Sequence, residues 1–519
     1  MNSGSNTRES VRSSINRRQF VKAGAASTAA ALAGCTGGNK NGGGNNGGGT
    51  SGGSSSGGNT ATTKDPNDVV KGQSITVAVD SSPDVRPYRW YQDEIKKQTG
   101  ISVPKNGIKT FSFGNLFEQY QNKFVTKSAP ADSVIYYPRL LGTFAANGHI
   151  EPLDKYNKIW SQKLDDVMER FRVLYTTWNG KQYALPVDGD VHCLMYRKDL
   201  FEKHNVKIPE TWSEFNKAAK YFTEKTDDVK YGAATYGDPS FTFGWFLDRF
   251  GGLGGKYFDE DMNPQFNTEA GRRSLKNWKE TIQYCPPGVA NYAYMDIRKA
   301  FTKGRVAMTV QWNDIPTKVH LPGNIGSKWG MKPVPGWSDG KAVSCMPAGR
   351  VASVPSYISE EKKLASYRFQ QLMTGEKFSK QSVSDANAGQ NIYRKSHDDP
   401  TLYTKPNPYR DYKDDKAKKA SIDFPDEAHQ QREAKEYVEM TKKTLQQGYP
   451  VPNWPGAPTY TQIMNTECSK FVAGSQGVDE TLKNMDDKFS KAVKNLGKDQ
   501  QKKYYQEVIK SWKKVGLWS

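Results

Sequence analysis

Apolar residues fall into two rhythms along this chain. The run Ile75-Thr76-Val77-Ala78-Val79-Asp80, followed by Ser81-Ser82-Pro83, predicts a short buried strand. Residues 88–98 carry helical spacing and stop at Gly100. Within 113–126, Leu116, Phe117, Tyr120 and Phe124 recur at intervals of three and four, which predicts a second helix with one apolar face. Asp132-Ser133-Val134-Ile135-Tyr136-Tyr137 predicts another strand, closed by Pro138, and 140–147 a short helix stopped by Gly148. Strands alternating with helices predict an α/β body with a mostly parallel sheet. Ligands of such sheets sit beyond the C-terminal strand ends. The tail differs: 405–447 is polar and rich in Lys, Asp and Gln, and 478–513 has a helical pattern.

The first 35 residues belong to targeting, not to the folded body. Arg8, Arg12, Arg17, Arg18 and Lys22 form a basic region, and Arg17-Arg18-Gln19-Phe20-Val21-Lys22 resembles a twin-arginine export signal. Residues 23–32 are small, uncharged and too few to span a bilayer, which takes roughly 20 apolar residues. Leu32-Ala33-Gly34-Cys35 resembles a lipobox, so Cys35 is the expected lipidation site and the chain is expected on the outer face of the cell membrane. Residues 36–65, dominated at first by Gly, Asn, Ser and Thr, read as a flexible linker.

Beyond Cys35 no stretch is long and apolar enough to suggest a membrane helix. The formal charge of the 519-residue chain is +19. Removing the five basic residues and Glu9 of positions 1–35 leaves +15 for the rest. That charge suits an anionic cell surface or an acidic ligand as well as a plain solvated lysine surface. Lys and Arg are scattered rather than interleaved with aromatics, which argues against nucleic-acid binding. With Cys35 lipidated, Cys193, Cys285, Cys345 and Cys468 remain, either as buried thiols or in up to two disulfides. Neither these nor the six histidines show metal-ligand spacing.

Three short motifs fail on their surroundings. Gly336-Trp337-Ser338-Asp339-Gly340 fits a nucleophile elbow in letters, but Pro335 precedes it and a strand-like run follows, so a hairpin turn is expected. Asp259-Glu260-Asp261-Met262-Asn263 opens like a calcium loop, yet positions six and twelve are Pro264 and Ala270. Gly251-Gly252-Leu253-Gly254-Gly255 lacks the Lys-Ser/Thr of a phosphate loop. No catalytic constellation, metal site or cofactor site is expected.

A longer stretch is more specific. Tyr183-Ala184-Leu185-Pro186-Val187-Asp188-Gly189-Asp190 leads into Leu194-Met195-Tyr196-Arg197-Lys198-Asp199-Leu200-Phe201, then Ile208-Pro209-Glu210-Thr211-Trp212-Ser213-Glu214-Phe215. Residues 187–195 are extended and long enough to cross between lobes, and Thr211 with Glu214 forms a capping-box pattern. Before it come Pro130-Ala131-Asp132 with Gly148-His149-Ile150-Glu151-Pro152-Leu153, and after it Tyr257-Phe258-Asp259 with Phe266-Asn267-Thr268-Glu269-Ala270, Ala300-Phe301 through Gly304 to Ala307-Met308, and Met331-Lys332-Pro333-Val334-Pro335-Gly336. In register over roughly 73–490, these resemble the family-1 extracellular solute-binding proteins, which include the maltose-binding type. Many members continue past Ala-Met with Gly-Pro-Trp, where this chain reads Val310-Gln311-Trp312-Asn313-Asp314.

The resemblance implies an α/β, two-lobe periplasmic-binding-protein-like fold (type II), with a hinge of crossing segments at 187–191, 308–312 and 350–354 and a ligand cleft between lobes. Lobe one is expected at 66–188 plus 312–352, and lobe two at 189–311 plus 353–519. It implies a monomeric binder, not an enzyme, that captures a sugar or oligosaccharide and delivers it to the permease subunits of an ABC importer. A polyamine, an iron complex or an anion is the alternative ligand, and an extracellular hydrolase the alternative activity. Sugar sites use aromatic platforms and hydrogen-bonding carboxylates, and the chain has 12 Trp and 27 Tyr. By position in the family pattern the ligand-facing candidates are Asp190, Trp312, Trp454, Tyr236, Asp238 and Tyr136.

Overall fold

Among the described residues nine strands build the two larger sheets, and most of them are apolar runs buried on both faces, the edge strand at Ile108–Phe111 being the exception. A computed structural model describes residues 64–518 apart from 113, 321–322, 346–348, 386–387 and 401–426, so the export signal, Cys35, the linker and part of the polar 405–447 stretch lie outside the described residues. In chain order the strands are β1 (Val77–Asp80), β2 (Ile108–Phe111), β3 (Ser133–Tyr136), β4 (Leu185–Asp188), β5 (His192–Arg197), β6 (Tyr231–Ala234), β7 (Val306–Trp312), β8 (Trp329–Pro333) and β9 (Arg350–Ser353). The first sheet has the order β2-β1-β3-β9-β4 and the second β8-β5-β7-β6.

Side chains alternate between the two faces of the first sheet, as a period of two demands. Val77, Val79, Ile135, Leu185, Val187 and Ala352 join one core with Tyr88, Tyr91 and Ile95 of the helix Arg86–Thr99. Ala78, Val134, Tyr136, Ala184 and Val351 join the other. Full burial of a Val or Leu side chain contributes about 1.5–3 kcal/mol, so a slip of one residue would exchange two filled cores. The expected helices form at Arg86–Thr99, Leu116–Val125 and Leu141–Ala146. The capping box is made: the Glu214 amide donates to Thr211 Oγ1 at 3.2 Å and the Thr211 amide to Glu214 Oε2 at 3.1 Å.

Four expectations change. The sheets are mixed rather than mostly parallel: β1 runs parallel to β2 and β3, and β6 to β7, but β9 is antiparallel to β3 and β4, and β5 to β7 and β8. The crossing strands cause this, because β4 continues through 189–191 directly into β5 and β9 returns from the second sheet. The segment 308–312 is no crossing; β7 is followed by β8 in the same sheet, and the chain returns to the first sheet only between Pro333 and Arg350. Residues 329–333 therefore belong with the second sheet. The helix Glu360–Met373, expected in lobe two, packs on the first sheet, where Gln370 Nε2 donates to Ser133 Oγ at 2.7 Å.

The C-terminal pattern resolves into Glu427–Leu445, Val478–Leu496 and Lys498–Lys514, the last two broken at Gly497. The first covers the exposed edge of β8, whose Met331 amide donates to Glu436 Oε1 at 2.8 Å. Gly336-Trp337-Ser338-Asp339-Gly340 ends in a turn, with the Gly340 amide bonded to the Trp337 carbonyl at 3.2 Å. Cys193, Cys285, Cys345 and Cys468 are buried free thiols. No helix among the described residues is long and apolar enough to cross a membrane.

Candidate ligand site

The strand ends of both sheets meet around the crossing segment 189–191. Gly189 is required there, because a Cβ would stand 2.0 Å from the Ile392 carbonyl oxygen. Asn313, just past β7, staples the crossing: its Oδ1 accepts from the Val191 amide at 3.2 Å, its own amide donates to the Val191 carbonyl at 3.1 Å, and its Nδ2 lies 3.3 Å from the Gly189 carbonyl. Opposite, Gly349 takes φ +82°, a left-handed conformation that aims its amide at Asp190 Oδ2, 3.0 Å away.

Four carboxylates surround one guanidinium at this junction. Arg350 Nη2 lies 2.9 Å from Asp80 Oδ2 and 3.4 Å from Asp84 Oδ2, and its Nη1 lies 3.3 Å from both Asp188 and Asp190. Tyr137 donates to Asp80 at 2.7 Å beneath the Arg350 guanidinium, which stacks 4.8 Å above the tyrosine ring. Asn391 Nδ2 donates to Asp190 Oδ1 at 2.6 Å and its backbone amide to Asp188 Oδ1 at 2.7 Å.

One cation cannot hold four buried carboxylates in the same state. Burial acts upward on Asp80, but the charge and hydrogen bond of Arg350 together with Tyr137 outweigh it and hold that carboxyl below its ordinary value. Burial pushes Asp84 up to about 7 against the pull of Arg350. Burial, with Asp190 and Asp84 nearby, pushes Asp188 well up, and burial raises Asp190 as well, with Asp314 adding to it. Asp84 Oδ1 and Arg350 Nε are buried with no hydrogen-bond partner among the described residues.

Beside the carboxylates stands a cluster of rings centred on Trp312. Its centroid lies 5.1 Å from His192, 5.4 Å from Trp245 and Phe241, 5.6 Å from Tyr294 and 6.0 Å from Tyr236. Trp312 Nε1 is likewise buried with no partner among the described residues. The two features join through Asp314, which accepts from the Tyr294 hydroxyl and lies near enough to Asp190 to act on its titration.

The site candidates separate cleanly. Asp190, Trp312 and Tyr236 come together at the junction. Asp190 is not solvated there; it is buried and held by Arg350, Gly349 and Asn391. Asp238 stands beside Tyr236 at the turn, where its Oδ1 accepts from the Ser240 hydroxyl, which in turn lies 2.7 Å from the Tyr236 hydroxyl. Trp454 stands apart: it is fully buried against Tyr505 at 5.2 Å, Tyr460 at 5.5 Å and Tyr257 at 5.8 Å, inside the packing of the C-terminal helices. Its flanking prolines hold it in a core. Tyr136 is also core, 5.0 Å from Phe144 with its hydroxyl 2.7 Å from Ser353 Oγ. The next residue, Tyr137, is the one that reaches the carboxylates. Sequence reasoning missed Asp80, Asp84, Asp188, Tyr137, Asn313 and Arg350. The only local signals were the Asp-Gly-Asp of 188–190 and a charged residue opening β9.

A cavity of about 880 Å³ opens elsewhere, lined by Gly252, Lys256, Arg273, Lys341, Gln447 and Trp518 among others, and none of the six candidates lines it.

Two mixed sheets joined by crossing strands, with buried polar groups and rings at the junction, define a two-lobed ligand-binding α/β fold. Residues 82–377 match the family described as bacterial extracellular solute-binding protein, and 14–34 match the twin-arginine translocation pathway signal sequence. The chain belongs to the bacterial extracellular solute-binding proteins and carries a twin-arginine export signal.

A binding protein of Brucella abortus is 28% identical over 230 residues, 42% of this chain and 54% of that protein. The mannitol-binding protein of Pseudomonas aeruginosa is 27% identical over 175 residues, 32% of this chain and 38% of that protein. The chain spans about half the length, or less, of these curated relatives. An ABC transporter solute-binding protein of Agrobacterium radiobacter, solved with ribitol, superimposes with a TM-score of 0.64 at 21% identity, covering 82% of this chain and 99% of that one. That likeness establishes the type II two-lobe fold.

Proposed function

We propose that this protein captures a sugar or polyol between its lobes outside the cell and passes it to an ABC importer, as a binder and not a catalyst. The observation that carries the reading is the set of buried polar atoms without a partner among the described residues, Asp84 Oδ1, Arg350 Nε and Trp312 Nε1, at the meeting of the lobes beside a ring cluster. A buried unsatisfied group costs about 1–3 kcal/mol, and sugar hydroxyls offer both donors and acceptors to meet it, while the rings cover apolar C–H faces. The relatives named for mannitol and ribitol support the same ligand chemistry. Lobe one comprises about 66–188 plus 349–400 and lobe two about 189–348 plus 427–518, and ligand shifts the balance between open and closed arrangements. The protein works as a monomer, tethered by lipid on Cys35 through the linker 36–65.

A melting-temperature screen of mono- and oligosaccharides and polyols tests the reading. A true ligand at about 100-fold over its Kd adds about 2.7 kcal/mol, and it should shrink the radius of gyration. Consumption of an oligosaccharide would mark a hydrolase. Stabilisation by a polyamine or an iron complex, with none by any sugar or polyol, would overturn the proposal.

A further inference from the structure

Most polar atoms of the ring cluster have a protein partner. Trp245 Nε1 donates to the Val310 carbonyl at 3.0 Å, the Tyr236 hydroxyl lies 2.7 Å from Ser240 Oγ, and the Tyr294 hydroxyl donates to Asp314. Two nitrogens differ: His192 Nε2 and Trp312 Nε1 are buried with no partner among the described residues. These two residues are register partners across the antiparallel pair β5 and β7. Their side chains therefore project to one face of the second sheet, and their rings meet edge to face at 5.1 Å.

The other nitrogen of the imidazole is fixed. His192 Nδ1 lies 2.8 Å from Asp248 Oδ2, and both side chains are fully buried. Asp248, on the helix Phe243–Gly252, accepts at its second oxygen from the Cys345 amide at 2.6 Å. Ser344 Oγ donates to the His192 carbonyl at 2.8 Å, so the backbone is held as well as the ring. A carboxylate only accepts, so the hydrogen of the Asp248 contact sits on Nδ1, and an imidazole with its one hydrogen there has a lone pair at Nε2. Trp312 Nε1, on the facing residue, only donates.

Resting on the sugar or polyol reading above, we infer that His192 is a specificity-determining residue: Asp248 keeps its hydrogen on Nδ1, and Nε2 receives the hydrogen of one ligand hydroxyl whose oxygen accepts from Trp312 Nε1. A hydroxyl is donor and acceptor at once and meets both nitrogens. An ether oxygen meets only the indole, an ammonium only the imidazole, and a methylene neither. A site built to bond a hydroxyl rejects the analogue that lacks it, because its own buried groups are then left unpaired.

Nitrogen NMR of the imidazoles in the purified full-length chain tests this, with His192 assigned by comparison with His192→Gln and with mannitol and ribitol as probes. Without polyol the ring hydrogen should sit on Nδ1. Saturation with polyol should move the Nε2 resonance, as its lone pair takes a hydrogen bond, and leave Nδ1 nearly still. Asp248→Asn offers one oxygen in place of two. The Cys345 amide keeps that oxygen, the Asn nitrogen faces Nδ1, and the ring hydrogen moves to Nε2. This variant should show the reversed tautomer and bind polyol about two- to thirteenfold more weakly, the worth of one hydrogen bond. A parent ring with its hydrogen on Nε2, or on both nitrogens, would overturn the inference and leave the sugar reading standing. An Nε2 resonance indifferent to bound polyol would do the same, since an internal water would then occupy the place of the hydroxyl. So would unchanged affinity in a folded Asp248→Asn with the reversed tautomer. Binding of neither polyol would also remove the inference, and the wider screen of sugars would then decide the sugar reading by itself.

Discussion

Replacing Trp312 by Phe isolates one atom of the proposed site. The smaller ring keeps its neighbours, Phe241 at 5.4 Å, Tyr294 at 5.6 Å and His192 at 5.1 Å, but Nε1 is gone. That nitrogen is buried and unpartnered among the described residues, and a donor that nothing meets costs about 1–3 kcal/mol. Against that, the lost indole area of roughly 40 Å² forfeits about 1 kcal/mol at ~25 cal/mol per Å². The unliganded variant should therefore be as stable as the parent, or stabler by up to about 2 kcal/mol. The compact unit spans Thr63–Ser519. With about 2.1 cal/mol/K of unfolding entropy per residue, each kcal/mol moves the melting temperature of a cooperative unit of this size by about 1 °C. The expected change is thus a rise of roughly 0–2 °C. Ligand affinity should fall, because a hydrogen bond worth about 0.5–1.5 kcal/mol is lost, which is roughly two- to thirteenfold. Titration calorimetry and a melting curve on the same preparation measure both. A melting temperature several degrees lower with affinity intact would show that the indole serves packing alone, and the ring cluster would cease to be a recognition surface.

Trp454→Ala should give the reverse pattern, a loss of about 3–5 kcal/mol with ligand affinity retained in the folded fraction, as expected for a fully buried tryptophan; a stable variant with weakened binding would return Trp454 to the site. The Asp84 carboxyl is raised by burial from 3.8 to about 7, so the folded state holds a proton that the unfolded state has lost across that window. Its contribution to stability is complete below about pH 4 and declines as pH rises through 7. Asp84→Asn should flatten that part of the stability profile, and an unchanged slope between pH 4 and 7 would show that Asp84 titrates normally. Cys35→Ala should move the protein from the membrane fraction to the exported soluble fraction, whereas a variant still bound to membranes would exclude lipidation at Cys35.

The elements were legible in the sequence because they depend on near neighbours. The helices Arg86–Thr99 and Leu116–Val125, the strands β1 and β3 and the capping box at Thr211 and Glu214 follow from spacing and local bonds. The family followed from several motifs in register. Trp312 and Asp190 were within reach because they flank the strand pair β5 and β7, whose position the motifs mark.

What depended on distant partners was not legible. Whether β7 crosses to the first lobe is decided by where β8 finds its edge, and β8 pairs with β5, more than 130 residues earlier in the chain. Tyr136 and Tyr137 are the same residue type side by side. Only the placement of β3 against β9 sends the first into the core beside Ser353 and leaves the second beneath Arg350. Trp454 between prolines is as suited to a rigid cleft wall as to a core, and the docking of the helices Ala457–Val472 and Lys498–Lys514 around it makes it core. The cluster joins Asp80 and Asp84, Asp188 and Asp190, and Arg350, three segments that no spacing relates. A buried charge is tolerated only where its counter-charge arrives through the tertiary fold, so Arg350 and its four aspartates come together only in the folded protein.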